Sequence, residues 1–221
     1  MKVKRETMPN NCLICNTETD EIFDEHFKVH YDICPHCDFV YKQKQHHLPF
    51  DEEGKQYERH NNSFESLGYV DMFKRLIKNH IQPLDVKGIA LEFGSGPGPV
   101  LKELLKQEKD LDVYDFDPYF NNNVVYLEHL YNLITATEVV EHFHDPLKEF
   151  EHLASLLIKG GYLVIMTKFR NMPDEEFLNW WYRRDITHVS FYNNTTFKYL
   201  ANKFGLKIEF SNNENIVIFT K

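Results

Sequence analysis

No apolar run in the 221-residue sequence approaches the length that crosses a bilayer, and Met1 to Asn11 is polar and charged where a leader would be apolar. Both absences lead us to expect a soluble, cytoplasmic protein that contacts no membrane. Positive charge is also short, with 25 Lys and Arg against 34 Asp and Glu and a formal net charge of −9. Apart from Lys2 to Arg5 and the pair Arg183 and Arg184 the cations are scattered, whereas a protein that grips a nucleic-acid backbone carries a basic face. The deficit argues against a polynucleotide partner. There are only four cysteines, and in a reducing compartment such a set serves as ligands rather than disulfides. The length fits one ordinary domain plus a small extra one, enough to bury a proper core.

The four cysteines fall as Cys12-x2-Cys15 and Cys34-x2-Cys37 with eighteen residues between the pairs, the spacing of a four-thiolate zinc site. Each pair makes a tight loop whose next residue adopts a left-handed conformation; Asn16 and Asp38, which tolerate it, stand there. Glu21 to Tyr31 reads as a strand or hairpin and Phe39 to Tyr41 as a short strand. About forty residues cannot hold themselves by core alone, so the metal would carry much of the stability. Four thiolates leave no open position for water, which makes zinc structural; iron fits the same ligands. The histidines crowding this segment, His26, His30, His36, His46 and His47, are not counted as ligands.

The centre of the chain is Ile89 to Val100: an apolar strand ending at Glu92-Phe93, then Gly94, Gly96 and Gly98 in alternation, then the helical pattern of Leu101, Leu104 and Leu105. Glycines allow positive φ and bring backbone N–H groups close to a ligand at a helix N-terminus. A second strand, Asp112 to Phe116, delivers Asp117. Strand, acid, glycine turn, helix and a second strand ending in an acid is the order of a nucleotide-type site at the carboxyl edge of a parallel sheet.

Glu92-Phe93-Gly94-Ser95-Gly96-Pro97-Gly98 resembles the first motif of the class I S-adenosylmethionine-dependent methyltransferases. Asp117 matches the acid that binds the ribose hydroxyls in that family, and Thr135 to Pro146 is similar to the E-x-x-E-H-x-x-x-P stretch after its fourth strand. The resemblance covers about 87–221. It implies an α/β, Rossmann-like class I methyltransferase sheet, mostly parallel with the last strand antiparallel, preceded by a small zinc-ribbon-like module. It also implies S-adenosylmethionine as cofactor, contacted by Glu92, Gly94, Ser95, Gly96, Gly98, Asp117, Pro118, Thr137 and Glu138. We expect the module over 1–46, a helical connector over 47–82 and the cofactor-binding domain over 83–221.

The connector carries a short helix with Tyr57 and His60, placed either to close over the cofactor or as exposed side chains, and a longer helix from Leu67 to His80 lying across the sheet. One departure from the family is plain: fifteen residues separate Asp117 from Leu133, too few for the usual helix, strand and loops. We expect a lost or rudimentary helix and a short edge strand near Val124 to Leu127. Leu130 to Thr137 reads as a buried strand, Asp145 and Pro146 as the start of a helix stopped by Gly160-Gly161, and Tyr162 to Thr167 as the next strand. After an irregular segment, Lys168 to Phe191, Asn194 caps a last helix, and Leu206 to Phe210 with Asn215 to Thr220 closes an antiparallel hairpin.

Methyl transfer from a sulfonium is an in-line displacement that needs a positioned acceptor and, for some acceptors, a base; no metal or covalent nucleophile is required. The candidate catalytic residues are His142, His188 and Glu138, with Glu141 the more structural acid. An imidazole titrates near neutrality, and two histidines from separate loops reaching one pocket would be a stronger signal than either alone; each is equally read as a packing residue. Trp180 reads as a lid anchor, and Arg183 and Arg184 as a grip for a flat or phosphorylated acceptor. The expected activity is methyl transfer to O or C of a small-molecule acceptor, sugar- or quinone-like. The alternatives are an RNA methyltransferase whose zinc module binds nucleic acid, disfavoured by acids from Glu18 to Asp38, and a cofactor-binding protein without catalysis.

Overall fold

The computed structural model describes residues 10–59, 62–109 and 111–221. His60 and the Lys2 to Arg5 cluster lie outside the described residues.

The chain begins with a three-stranded antiparallel meander, β1 (Asp20–Asp24), β2 (Val29–Ile33) and β3 (Val40–Lys42). Helices α1 (Phe50–Tyr57) and α2 (Leu67–Leu76) follow, then β4 (Ile89–Phe93), α3 (Val100–Lys109), β5 (Asp112–Phe116), β6 (Tyr131–Thr137), α4 (Pro146–Leu156) and β7 (Leu157–Met166). The chain closes with α5 (Asp174–Phe177), β8 (Ser190–Phe191), α6 (Asn194–Phe204), β9 (Lys207–Ser211) and β10 (Ile216–Thr220).

Six strands make the main sheet in the order β5-β4-β6-β7-β10-β9. The four neighbours β5, β4, β6 and β7 run parallel, while β10 pairs antiparallel with both β7 and β9. Parallel strands covered on both faces read as near-continuous apolar runs, and β4 and β6 do. Alternation sorts their side chains to opposite layers. Leu91, Ile134, Leu163 and Val217 face Phe150 and Leu153 of α4 and Phe197 and Leu200 of α6. Ala90, Leu133, Val164 and Ile218 face Val70 and Phe73 of α2 and Leu101 and Leu104 of α3.

The meander does not stand apart from this sheet. Its outer strand β3 pairs with β8 through Val40 opposite Phe191 and Tyr41 opposite Ser190, giving a second sheet, β1-β2-β3-β8. Cys12, Cys34, Cys37, Phe39 and Tyr41 belong to the same buried cluster as α4 and α6. An Arg183–Asp24 ion pair at 2.7 Å ties the two ends of the chain, and the guanidinium also sits over the Phe27 and Tyr31 rings, 5.5 Å and 5.8 Å from their centres.

Several expectations need correction. Val124–Glu128 is a 3-10 turn capped by the Asn123 side chain rather than an edge strand; the Tyr126 ring folds inward to 4.3 Å from Phe116. Between Asp117 and Asn121 the chain makes a tight turn closed by paired backbone hydrogen bonds of 2.9 Å and 3.0 Å, so the expected rudimentary helix is this turn and the 3-10 turn together. Helix α4 stops at Leu156, before the glycines. Lys221 Nζ donates to the carbonyls of Ala154 and Leu157, and Gly160 and Gly161 run on inside β7, where a Cβ on Gly161 would stand 2.8 Å from the Tyr131 carbonyl oxygen. Helix α6 is capped by Asn193, one residue earlier than expected, in a reciprocal box with Thr196. The Leu67 to His80 helix is α-helical only to Leu76 and continues as a π-turn, Ile77–Ile81.

Candidate functional site

At the carboxyl edge of β4, β5 and β6 the structure opens a cavity of about 1240 Å³. That exceeds the ordinary range for one small ligand, about 300–1,000 Å³, and leaves room for two.

Gly94 and Gly96 adopt φ of +78° and +65°, conformations that side chains resist. Gly94 and Gly98 are packed tightly: a Cβ on Gly94 would stand 2.3 Å from Val139 Cγ2, and one on Gly98 2.0 Å from the Asn62 carbonyl oxygen. The glycine loop is therefore clamped between the loop after β6 and the segment after α1. Asp117 fixes it from the side. Its Oδ2 accepts from the Gly96 amide at 2.9 Å, and its Oδ1 accepts from the amides of Tyr119 and Phe120 at 2.8 Å and 3.1 Å. Three of roughly four acceptor positions are thus used, leaving one for a ligand hydroxyl.

Gly94, Gly96, Asp117, Pro118, Thr137 and Glu138 line the cavity, as do His142 and His188. Glu92, Ser95 and Gly98 are not on its wall. Glu92 is buried under the loop, where it accepts from the Lys102 amide of α3 at 2.8 Å, and burial raises its carboxyl to about 8. Ser95 Oγ donates to Asp115 at 3.4 Å. These two shape the loop from behind.

The two histidines meet. Their ring centres lie 4.9 Å apart, His142 arriving from the loop after β6 and His188 from the segment before β8. The reason is a row of carbonyls on the first loop that the second segment satisfies. Tyr192 OH donates to the Val140 oxygen at 2.9 Å, the Val189 amide to Glu141 at 2.9 Å and Ser190 Oγ to Phe143 at 2.7 Å, while Tyr41 OH from β3 reaches His144 at 3.1 Å. His142 Nδ1 lies 3.1 Å from the Thr187 carbonyl oxygen and His188 Nδ1 lies 2.8 Å from that of Tyr182. A carbonyl only accepts, so each Nδ1 carries a proton, and in the neutral ring the lone pair is then on Nε2. Burial, reinforced by His142, holds His188 neutral and lowers it to about 3.

Beneath them Tyr182 OH lies between two acids, donating its one proton to Glu141 and standing 3.3 Å from Glu138 Oε2. Burial raises both carboxyls, that of Glu141 further because Glu138 faces it. Glu138 holds a positive φ of +54°, an uncommon conformation for such a residue and one found where a site dictates the backbone.

Helix α1 forms the opposite wall. Its Glu53, nearly buried, accepts from Tyr57 OH at 2.6 Å and Tyr119 OH at 3.0 Å and lies 3.3 Å from His144 Nε2. Tyr57 packs edge-on to His142, ring centres 5.1 Å apart. Glu53 and Tyr119 escaped sequence reasoning, since nothing local marks a helix acid as the hub of a wall built from distant residues. Of the aromatic and arginine cluster, Trp180 packs on Tyr182 and Phe191 as an anchor, and exposed Trp181 and Arg184 reach the cavity rim. Arg183 is a correction: it is buried against Asp24 and grips no acceptor.

Cys12, Cys15, Cys34 and Cys37 converge. Sγ separations of 3.6 Å (Cys12 to Cys37) and 3.3 Å (Cys15 to Cys34) approach the edge of about 3.8 Å in a tetrahedron with metal–sulfur bonds of about 2.3 Å. The amides of Ile14 and Cys37 point at Cys12 and Cys34 sulfur, both at 3.4 Å, and Asn16 and Asp38 take φ of +61° and +57° as the spacing predicts. The donor set fits a closed four-thiolate centre.

Residues 69–209 match a family model described as a methyltransferase domain. No curated protein matches the chain. Among solved structures, a SAM-dependent methyltransferase from Archaeoglobus fulgidus superposes with a TM-score of 0.52 at 18% identity, over 69% of this chain and 94% of that one. An O-methyltransferase family protein from Burkholderia thailandensis gives 0.49 at 13% identity, over 76% of this chain. This chain spans 62% of the Burkholderia protein's length. At such identities the likeness is one of fold.

Proposed function

As a member of the methyltransferase-domain family, the chain is one for which we propose transfer of a methyl group from S-adenosylmethionine to an oxygen or carbon of a small-molecule acceptor, sugar- or quinone-like in size. The observation that carries the reading is that one cavity is lined both by the clamped glycine loop with Asp117 and by the facing pair His142 and His188. When bound, the cofactor would supply an already electrophilic methyl carbon.

The chain's own residues then have three tasks. The amides of Gly94 and Ser95 are spent on the Phe116 carbonyl and that of Gly96 on Asp117, so the loop offers the cofactor a close-approach surface, and Asp117 keeps an acceptor position for a ribose hydroxyl. Pro118, Thr137 and Glu138 border the same cavity. Positioning of the acceptor falls to Trp181, Arg184 and the wall of α1. Proton removal falls to His142 or His188, each with its lone pair on Nε2, while Glu138 and Tyr182 hold the loop beneath them.

In this reading the four cysteines hold a structural zinc ion. Exposed Glu18, Asp20, Glu21 and Glu25 on that module favour a small acceptor over RNA. Soluble, cytoplasmic action accords with the lack, among the described residues, of any helix long and apolar enough to cross a membrane.

Calorimetric titration of S-adenosylmethionine and S-adenosylhomocysteine tests the proposal. Micromolar binding that Asp117→Ala weakens by about 1–3 kcal/mol, the scale of a hydrogen bond to a charged group, supports it. A folded, metal-loaded sample that binds neither ligand sinks it.

A further inference from the structure

We propose that Glu141, His142 and His188 form a second metal centre, a site for a divalent cation such as Mn²⁺ or Zn²⁺ that holds an acceptor hydroxyl beside the cofactor. The acceptor half rests on the methyl-transfer reading; the cation half does not.

Three observations carry it. One donor atom from each residue lies within 4.8 Å of the other two. A cation with bonds of about 2.0–2.2 Å reaches donors up to about 4.4 Å apart, so shifts of a few tenths of an ångström close the site. Next, both imidazoles donate Nδ1–H to a backbone carbonyl, Thr187 for His142 and Tyr182 for His188. That arrangement sets the tautomer with its lone pair on Nε2 and orients the ring, as the outer shell of a histidine metal ligand does. Finally, Glu141 is fully buried, and while one carboxylate oxygen takes the Tyr182 hydroxyl, Oε2 has no hydrogen-bond partner. A buried carboxylate oxygen left unpaired calls for an explanation, and an ion is one.

The chemistry follows from the donor set. Two imidazoles and a carboxylate suit a borderline transition cation, leave positions open for exogenous oxygen and differ from the four-sulfur centre, which favours zinc. A hydroxyl on such a cation loses its proton more readily, as metal-bound water does. With their Nε2 lone pairs on the cation the two imidazoles no longer act as bases, so in place of the proton removal assigned to them above the proton passes to water or to Glu138, which also lines the cavity. The oxygen then forms its bond to the methyl carbon as the carbon–sulfur bond breaks. The electron pair goes to sulfur and leaves S-adenosylhomocysteine.

Mn²⁺ avoids thiolates and so reads this centre without displacing metal from the cysteines. Zinc-loaded protein titrated with MnCl₂ and followed by electron paramagnetic resonance should bind one equivalent. His142→Ala and His188→Ala, each checked for folding by its melting curve, should weaken that binding by at least about 10-fold, the lower end of what disturbing a metal's ligand shell costs. S-adenosylhomocysteine affinity, measured on the same samples, should stay within about 3-fold, since neither imidazole holds that ligand. Wild-type protein that takes up no Mn²⁺ while still binding S-adenosylhomocysteine overturns the metal centre alone, as do folded variants that keep full Mn²⁺ affinity. Mn²⁺ uptake without S-adenosylhomocysteine binding leaves the centre standing and overturns the cofactor reading.

Discussion

The Arg183 guanidinium lies 2.7 Å from the Asp24 carboxylate, and both side chains are almost wholly buried, at 4% and 5% exposure. Asp24 ends β1 near the start of the chain, and Arg183 belongs to the segment that leads to His188. Removing one member of such a pair strands the other charge without water. Arg183→Met should therefore cost about 3–5 kcal/mol of stability, and adding Asp24→Asn should recover part of it. Denaturant unfolding of wild type, both single variants and the double completes the cycle. Purely additive losses would show that the pairing itself contributes nothing.

Glu92 supplies a pH dependence. Its carboxyl sits at about 8 in the folded protein, through burial, against 4.5 in an exposed chain. Between those values the folded state holds more protons than the unfolded one, so this group's contribution to stability falls as pH rises through the window. Glu92→Gln removes the ionisation and leaves an oxygen for the Lys102 amide. The melting temperature of the variant relative to wild type should rise between about pH 5 and about pH 8. A constant difference across that range would contradict the assignment.

Gly94→Ala should abolish cofactor-type binding without unfolding the sheet. The added methyl group meets Val139 Cγ2 at 2.3 Å on a backbone with φ of +78°, so either the loop or Val139 must move. The left-handed strain alone costs about 1–2 kcal/mol. Adding Val139→Ala removes the two closest contacts and leaves Cβ at 3.2 Å, so it relieves most of the clash but not the strain, and should restore part of the lost stability. Calorimetry with S-adenosylhomocysteine and thermal melts on the three variants test this; unchanged affinity in Gly94→Ala would refute the role of the loop.

With zinc on the cysteines as proposed, stripping it should affect the whole molecule. Cys12, Cys34 and Cys37 share a buried cluster with Phe150, Tyr192 and Phe197, so the centre is not the private core of a separable module. A strong chelator, or Cys34→Ser, should lower the melting temperature in a single cooperative transition. Scanning calorimetry showing two transitions, with only the smaller one sensitive to chelator, would refute this.

What could be read in advance was local. The positive φ of Asn16 and Asp38 follows from loops of four residues, and the glycine turn from residues beside it in sequence. Strands β4 and β6 announce themselves as buried apolar runs, and the meeting of His142 with His188 follows from the edge to which β6 delivers its loop. Contacts between distant residues that the order of strands does not itself dictate were not legible. Arg183 looked like a ligand grip because its partner Asp24 lies far back in the chain. Gly160-Gly161 looked like a helix stop because the C-terminal Lys221 that caps α4 instead is equally remote. The 3-10 turn at Val124–Glu128 has strand-type residues, but Tyr126 gains more from packing on Phe116 than from an edge with no partner.

The rung between β3 and β8 begins at Ser190, two residues beyond His188. A chimera joined after β3, giving this catalytic half another protein's cysteine module, would thus cut a sheet rather than a linker, and the histidine loop would lose the strand it leans on. The two sheets support each other through this rung, so substitutions in the cysteine module that never approach the cavity should still alter ligand binding there.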